Sequence, residues 1–268
     1  MGARFAKPLI GRNQLLRPYP QYGNLQVFQH NAASAKYHSL LVQAEKRFSH
    51  GYNLMINYTI SKLIDNGSGR VFNYTAYEPP LQNAYDLRAE RAVSPQDVSQ
   101  RVVVSHTVRL PSRGNRFLKA WTLAGTFTWN TGFPLAPTST GSNTYLYTGV
   151  TRPNNTGRSA KLEGRVQDRL LRYFDTSVFT VPPSFTLGNT GRTLPDVRSP
   201  QRWNYNLAAS RTVRVWERVS LMIRGESFNL TNTPFFDLPG TQLGAGTLGI
   251  ISTSRMERQL QLSMKLLF

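Results

Sequence analysis

The chain has no cysteine and only four histidines in 268 residues. Without cysteine there is no disulfide framework and no thiolate-ligated metal site. No apolar run reaches the roughly 18 residues that a transmembrane helix needs. That does not exclude a membrane barrel, whose strands hide their apolar residues by alternation. Acidic residues are scarce. Only 14 Asp and Glu stand against 32 Lys and Arg, giving a formal net charge of +18. Such an excess suits an anionic partner: nucleic acid, phosphate-bearing lipid or an acidic polymer. The first residues hold no apolar core of signal-peptide length, so an exported form would carry its signal upstream.

What is present is alternation. At the C-terminus Leu260, Leu262, Met264, Leu266 and Phe268 sit two apart, with Gln259, Gln261, Ser263 and Lys265 between them. A period of two puts the apolar set on one face of a strand. Ending on an aromatic residue, this segment resembles the assembly signal of bacterial outer-membrane β-barrels. Further strands are expected at 22–28, 37–49, 52–65, 101–110, 121–131, 203–212 and 219–230. In 37–49 the apolar face is Leu40, Val42, Ala44 and Phe48. In 52–65 it is Tyr52, Leu54, Ile56, Tyr58 and Ile60. Between these two, His50-Gly51 reads as a tight hairpin turn.

The connections are sorted by length. Those at 50–51, 111–120 and 213–218 are short; those at 66–100, 132–202 and 231–256 are long, and 29–36, on the same side as the long ones, is intermediate. If the strands run up and down, every short turn falls at one end together with the C-terminus. Transmembrane barrels have this asymmetry, with short periplasmic turns and long extracellular loops. A soluble sandwich has no reason for it. Trp121 and Trp129 lie eight residues apart on one face. That is about 26 Å of strand, or about 20 Å of height after a tilt of ~40°, close to the height of an apolar band between aromatic girdles. Tyr52, Trp121, Trp129 and Trp203 are the expected girdle. Glu45 with Arg47, and Arg224 with Glu226, place opposed charges on the other face and read as the lining of a polar lumen.

The longest loop, 132–202, carries nine Lys and Arg against four Asp and Glu. Within it, residues 159–173 space Leu162, Val166, Leu170 and Tyr173 at helical intervals, which predicts a short helix. Gly244-Ala-Gly246-Thr-Leu-Gly249 has the outline of a dinucleotide fingerprint. It leads into another strand rather than a helix, so it reads as loop. The histidines have no ligand spacing, and Ser105 and His106 are strand neighbours pointing to opposite faces. No catalytic residue, metal site or cofactor is expected, and the chain does not read as an enzyme.

Several segments together resemble the C-terminal part of the barrel of TonB-dependent outer-membrane receptors of the Oar-like, carboxypeptidase-regulatory-like-domain type. They are Arg-Pro-Tyr-Pro-Gln-Tyr-Gly at 17–23, Tyr-His-Ser-Leu-Leu-Val-Gln-Ala-Glu-Lys-Arg-Phe-Ser-His-Gly at 37–51, and Asn-Tyr-Thr-Ile-Ser-Lys-Leu-Ile-Asp at 57–65. Asp-Leu-Arg-Ala-Glu-Arg at 86–91, Gly-Asn-Thr-Gly-Arg at 188–192, Arg-Gly-Glu-Ser-Phe-Asn-Leu-Thr-Asn-Thr-Pro-Phe-Phe at 224–236 and the terminal strand complete the set.

The resemblance implies an all-β fold: an antiparallel up-and-down transmembrane meander of about eight strands, a partial barrel with long extracellular loops. Residues 1–21 would continue from a missing upstream barrel, and 22–268 would be the C-terminal part of the receptor barrel. The implied place is the outer membrane. The implied partners are outer-membrane lipid and lipopolysaccharide, the barrel-assembly machinery, and the TonB system through a plug that this chain lacks. The implied parent function is substrate binding and uptake. Two alternatives stay open: an autonomous small eight-stranded barrel, structural or pore-forming, and a soluble basic β-protein that binds nucleic acid. Under the receptor reading no nucleic acid is involved.

Overall fold

The computed structural model describes residues 9–22, 32–67, 81–83, 85–111, 119–139 and 151–268. Seven long strands make one sheet: β1 Ala35–Ser49, β2 Tyr52–Asp65, β3 Gln100–Arg109, β4 Thr122–Asn130, β5 Arg202–Arg214, β6 Ser220–Phe228 and β7 Gln259–Leu267. Each pairs antiparallel with its neighbour in chain order, so the sheet is an up-and-down meander. Ala92–Val93 adds a two-residue piece beside the end of β2. Among the described residues nothing pairs with the outer edges of β1 and β7. The strand expected at 22–28 lies outside the described residues except for Tyr22, which sits in a bend.

His50 (φ 52°) and Gly51 (φ 85°) both occupy the left-handed region between β1 and β2. This is the geometry a two-residue hairpin needs to match the strand twist. The register of β1 slips between Lys46 and Ser49. That bulge corrects the expected place of Phe48. Instead of continuing the row of Leu40, Val42 and Ala44, Phe48 takes the Arg109 guanidinium 5.7 Å from its ring centre. One extra residue is enough to turn a side chain to the other face.

Paired residues share a face, so the register sorts the whole sheet. One face carries Leu54, Ile56, Val104, Leu123, Phe127, Ile223, Leu262 and Met264. The other carries Gln43, Asn57, Ser105, Thr126, Asn206, Gln261 and Ser263. The apolar face is bare: Leu262 is 86% exposed and Leu260 75%. Among the described residues, every buried hydrophobic side chain lies outside the seven strands. In a water-soluble sheet the apolar face would hold the core.

The core sits instead in the long connections, gathered at one end of the sheet. Leu135, Ala160, Tyr173, Phe174, Val178, Phe179, Leu194, Val197 and Ile251 form one cluster. Short ladders tie the layer: Asn154–Asn155 with Phe179–Thr180, Thr138–Ser139 with Gln242–Leu243, and Phe235–Phe236 with Ser254–Arg255. The helix expected over 159–173 is reduced to a single 3-10 turn, Val166–Arg169. Gly164 at φ 109° stops a helix from the N-terminal side. Tertiary partners also take the backbone groups a helix would use. Tyr173 donates to the Gly249 carbonyl at 2.7 Å, and Ile251 to that of Leu170 at 2.8 Å. The helical spacing survives only as packing, with Val166 and Leu170 against the cluster.

Candidate functional site

The polar face of the sheet bounds an open hollow of about 580 Å³. Glu45 and Arg47 line it from β1, Ser105 and Thr126 from the middle strands, and Arg224 and Glu226 from β6. Each charged pair is arranged as same-strand neighbours two apart. Arg224 Nη2 donates to Glu226 Oε1 at 2.7 Å, and Arg47 lies 3.8 Å from Glu45. The four charges read from the sequence as one lining therefore share one hollow, approached from opposite sides. Exposed pairs of this kind add little stability. Their effect is a wall of fixed, alternating charge.

The other expected residues fall on the apolar face. Trp129 and Trp203 are direct cross-strand partners at the loop end. Trp129 Nε1 donates to Gln201 at 3.2 Å, and the Trp203 ring lies 6.2 Å from Phe127. Tyr52 starts β2 beside the hairpin turn, with Lys46 Nζ 4.6 Å from its ring centre. Trp121 directly precedes β4, at the same end of the sheet as Tyr52. Leu260, Leu262, Met264 and Leu266 line one face of β7, and Phe268 comes immediately after that strand.

The segment 244–249, read from the sequence as loop, is a turn. Gly244 and Gly249 have φ of 92° and 74°, and no helix comes after them. Among the described residues no group of three or more His, Asp or Glu could hold a metal ion.

Beneath the loop layer lies a buried charge network that alternation and spacing do not signal. Arg192, 1% exposed, donates from Nε to the Glu90 carbonyl at 3.0 Å, and to the carbonyls of Gly67 and Asp65 at 3.2 and 3.0 Å. It also pairs with the Asp65 carboxylate. Burial lowers the pKa of its guanidinium. Glu90 accepts the backbone N–H groups of Gln82 and Asn83, both at 3.0 Å, and pairs with buried Arg152. Arg198 closes on Asp97 at 2.6 Å. These groups fasten the long loops to the ends of β2 and β3. Burial raises the Tyr173 phenol to about 12, partly offset by nearby Arg169, and the phenol donates to the Arg198 carbonyl at 2.8 Å.

The family model for an outer membrane beta barrel domain matches residues 5–261. The chain belongs to that family. No curated protein and no solved structure matches it. Family membership accounts for the inverted polarity of the sheet. An outer-membrane barrel strand turns its apolar residues to lipid and its polar residues inward. It also tells against a soluble fold for this sheet. The outer membrane is the place this family implies.

Proposed function

We propose that this outer-membrane barrel chain forms a wall sector of a TonB-dependent receptor. In this reading the loop layer faces outward and takes part in substrate binding, and the polar hollow is part of the uptake path. The observation that carries it is the open sheet. Its two edge strands have no partners among the described residues, while its concave face is polar and its convex face apolar. An open edge in lipid costs several kcal/mol for each unpaired backbone group. Further strands are therefore needed on both sides, as in a large barrel. Three of the segments that resemble such receptors, 57–65, 86–91 and 188–192, converge on one buried network, which supports the same reading.

Within it, Tyr52, Trp121, Trp129 and Trp203 hold the two membrane boundaries. Leu260, Leu262, Met264, Leu266 and Phe268 are read by the assembly machinery, and Glu45, Arg47, Arg224 and Glu226 line the lumen. No catalytic step belongs to this function. Two measurements test it. In the chain folded alone in detergent, the outward-pointing amides of β1 and β7 should exchange quickly; slow exchange on both edges would show a small closed barrel instead. In cells producing the receptor that contains this sector, uptake should stop when TonB is removed. Uptake that continues without TonB would sink the receptor reading.

A further inference from the structure

The cations of the polar face are arranged by strand direction. β1, β3, β5 and β7 run toward the short turns, and each carries a cation on this face at or within two residues of its end. They are Arg47, Arg109, Arg214 and Lys265. The returning strands β2, β4 and β6 interleave uncharged Asn53, Thr122 and Ser220. At the loop end the same face carries Arg101 and Arg202, on either side of Asn130. The carboxylates that the strands set on this face are already taken. Glu45 lies 3.8 Å from Arg47, Glu226 accepts from Arg224 at 2.7 Å, and Asp65 pairs with buried Arg192. Arg109 rests 5.7 Å from the Phe48 ring centre, and Arg214 donates to the carbonyls of Trp216 and Glu217 at 3.4 and 2.6 Å. Neither contact cancels a charge. Arg109, Arg214 and exposed Lys265 join no ion pair among the described residues. Between the two ends the wall is mostly hydroxyl and amide, as at Ser105, Thr126, Thr128, Asn206 and Thr212.

We propose that the solute passing along this wall is anionic, a small molecule bearing carboxylate or phosphate. Rows of Arg and Lys at a pore mouth select anions. A cleft lined by one sign of charge concentrates counter-ions, by roughly tenfold or more. Cations at both mouths, with a mostly uncharged stretch between them, favour entry and release without a tight trap midway. Two other uses of these cations fit less well. Lipid meets the opposite face of the sheet. A folded acidic partner at the short turns would reach the row there but not Arg101 and Arg202 at the other mouth. The inference rests on the proposed reading of the polar hollow as a solute path, and not on TonB.

The chain has no cysteine, so one introduced thiol can report the potential along the path. Thr212→Cys puts it on the polar face, in the row of Lys265 and two residues from Arg214. Ser252→Cys puts it on the exposed loop layer, as a reference for overall charge. In isolated outer membranes holding the protein as cells make it, each thiol is labelled with 2-sulfonatoethyl and with 2-(trimethylammonio)ethyl methanethiosulfonate. Rates are normalised to free mercaptoethanol. The anion-to-cation ratio then cancels the effect of nearby cations on the thiol itself. The expected ratio in Thr212→Cys is about ten or more, roughly threefold or more above Ser252→Cys, and near one in about 1 M salt. Adding Arg214→Gln/Lys265→Gln should lower the first ratio about threefold and leave the second unchanged. Equal ratios at the two positions would reduce the effect to overall charge and overturn the anionic path. A ratio near one in Thr212→Cys would mean that carboxylates from neighbouring strands cancel the rows, and would overturn it as well. Deleting TonB separates this inference from the receptor reading. A high ratio with uptake that continues keeps the anionic path and sinks the receptor; a ratio near one with uptake that stops does the reverse.

Discussion

Arg192 and Asp65 are 127 residues apart in sequence and meet in a buried ion pair at the end of β2. The same guanidinium reaches the Glu90 carbonyl, so residues 57–65, 86–91 and 188–192 converge on one side chain. Nearby, Gly188 passes so close to the Arg152 carbonyl that a Cβ there would collide with backbone. Gln82 bridges the two strands of this contact, donating to the Gly188 carbonyl at 2.9 Å and accepting from the Arg152 amide at 2.8 Å. The segments that carry the family resemblance in the loops are thus the parts of a clasp. It joins the loop layer to the sheet.

The clasp makes a first prediction. Arg192→Met strands three carbonyls and a carboxylate in a buried space. Removing one partner of a buried pair typically costs ~3–5 kcal/mol. Arg192→Lys should recover little, because one ammonium cannot reach the spread of acceptors a guanidinium reaches. The loss should be local: limited proteolysis should cut faster in 132–202, while the seven strands stay as protected as before. Unchanged loop cleavage would show that the network does not hold the layer.

Tyr173 gives a pH dependence. Its folded-state pKa of about 12 lies above the ordinary 10.0 because burial disfavours the phenolate. A group raised in this way contributes stability below its unfolded pKa and loses it as pH climbs through the folded value. The loop layer should therefore weaken between pH 10 and 12, by on the order of 2 kcal/mol. In Tyr173→Phe that step should vanish, at the cost of the hydrogen bond to the Arg198 carbonyl. Amide exchange in the loop layer across this range measures it. A step that persists in the Phe variant would have to come from another group.

The seven strands are legible in the sequence because lipid on one side and lumen on the other impose strict alternation. Their limits agree within two residues, and 52–65 coincides with β2. The shared face of the four charges follows the same period: Glu45 with Arg47, and Arg224 with Glu226, are each two apart and border one hollow. The place of Phe48 is not, because a one-residue bulge leaves no trace in periodicity. At 159–173 the spacing misleads, since it reflects packing of Val166 and Leu170 against the loop-layer cluster and not i to i−4 bonding.

Orientation is testable on intact cells. Arg158, Lys161, Arg165 and Arg172 are exposed in the loop layer, while Arg214 and Arg218 flank the turn between β5 and β6 at the other end. Trypsin added outside should cut at the first group and spare the second. The reverse pattern would invert the sheet in the membrane.

The two faces should respond differently to charge. Leu123 on the apolar face of β4 and Thr126 on its polar face are three residues apart. Leu123→Arg, between the boundary at Trp121 and the mid-membrane level, should cost up to the ~2–4 kcal/mol of a midplane charge, and Thr126→Arg considerably less. Equilibrium folding into lipid vesicles gives both values. Equal costs would show that the apolar face does not meet lipid.

One polar pair breaks the apolar face, and it yields the sharpest test. His106 Nε2 and the Tyr205 hydroxyl lie 2.9 Å apart, with rings stacked at 5.9 Å. They meet over Gly125, where a Cβ would press on the imidazole. Gly125 is the midpoint between Trp121 and Trp129, so the pair sits near mid-membrane, where neither group has water to fall back on. Removing one partner leaves the other unsatisfied, at about 1–3 kcal/mol, whereas replacing both with apolar groups is close to neutral. Tyr205→Phe and His106→Leu should each destabilise the folded sheet. The double variant should recover most of the loss, and Gly125→Val should destabilise by displacing the ring. Folding free energies in lipid vesicles form the double-mutant cycle. Additive losses in the double variant would mean that the two side chains act separately, and that the gap at Gly125 is not shaped around them.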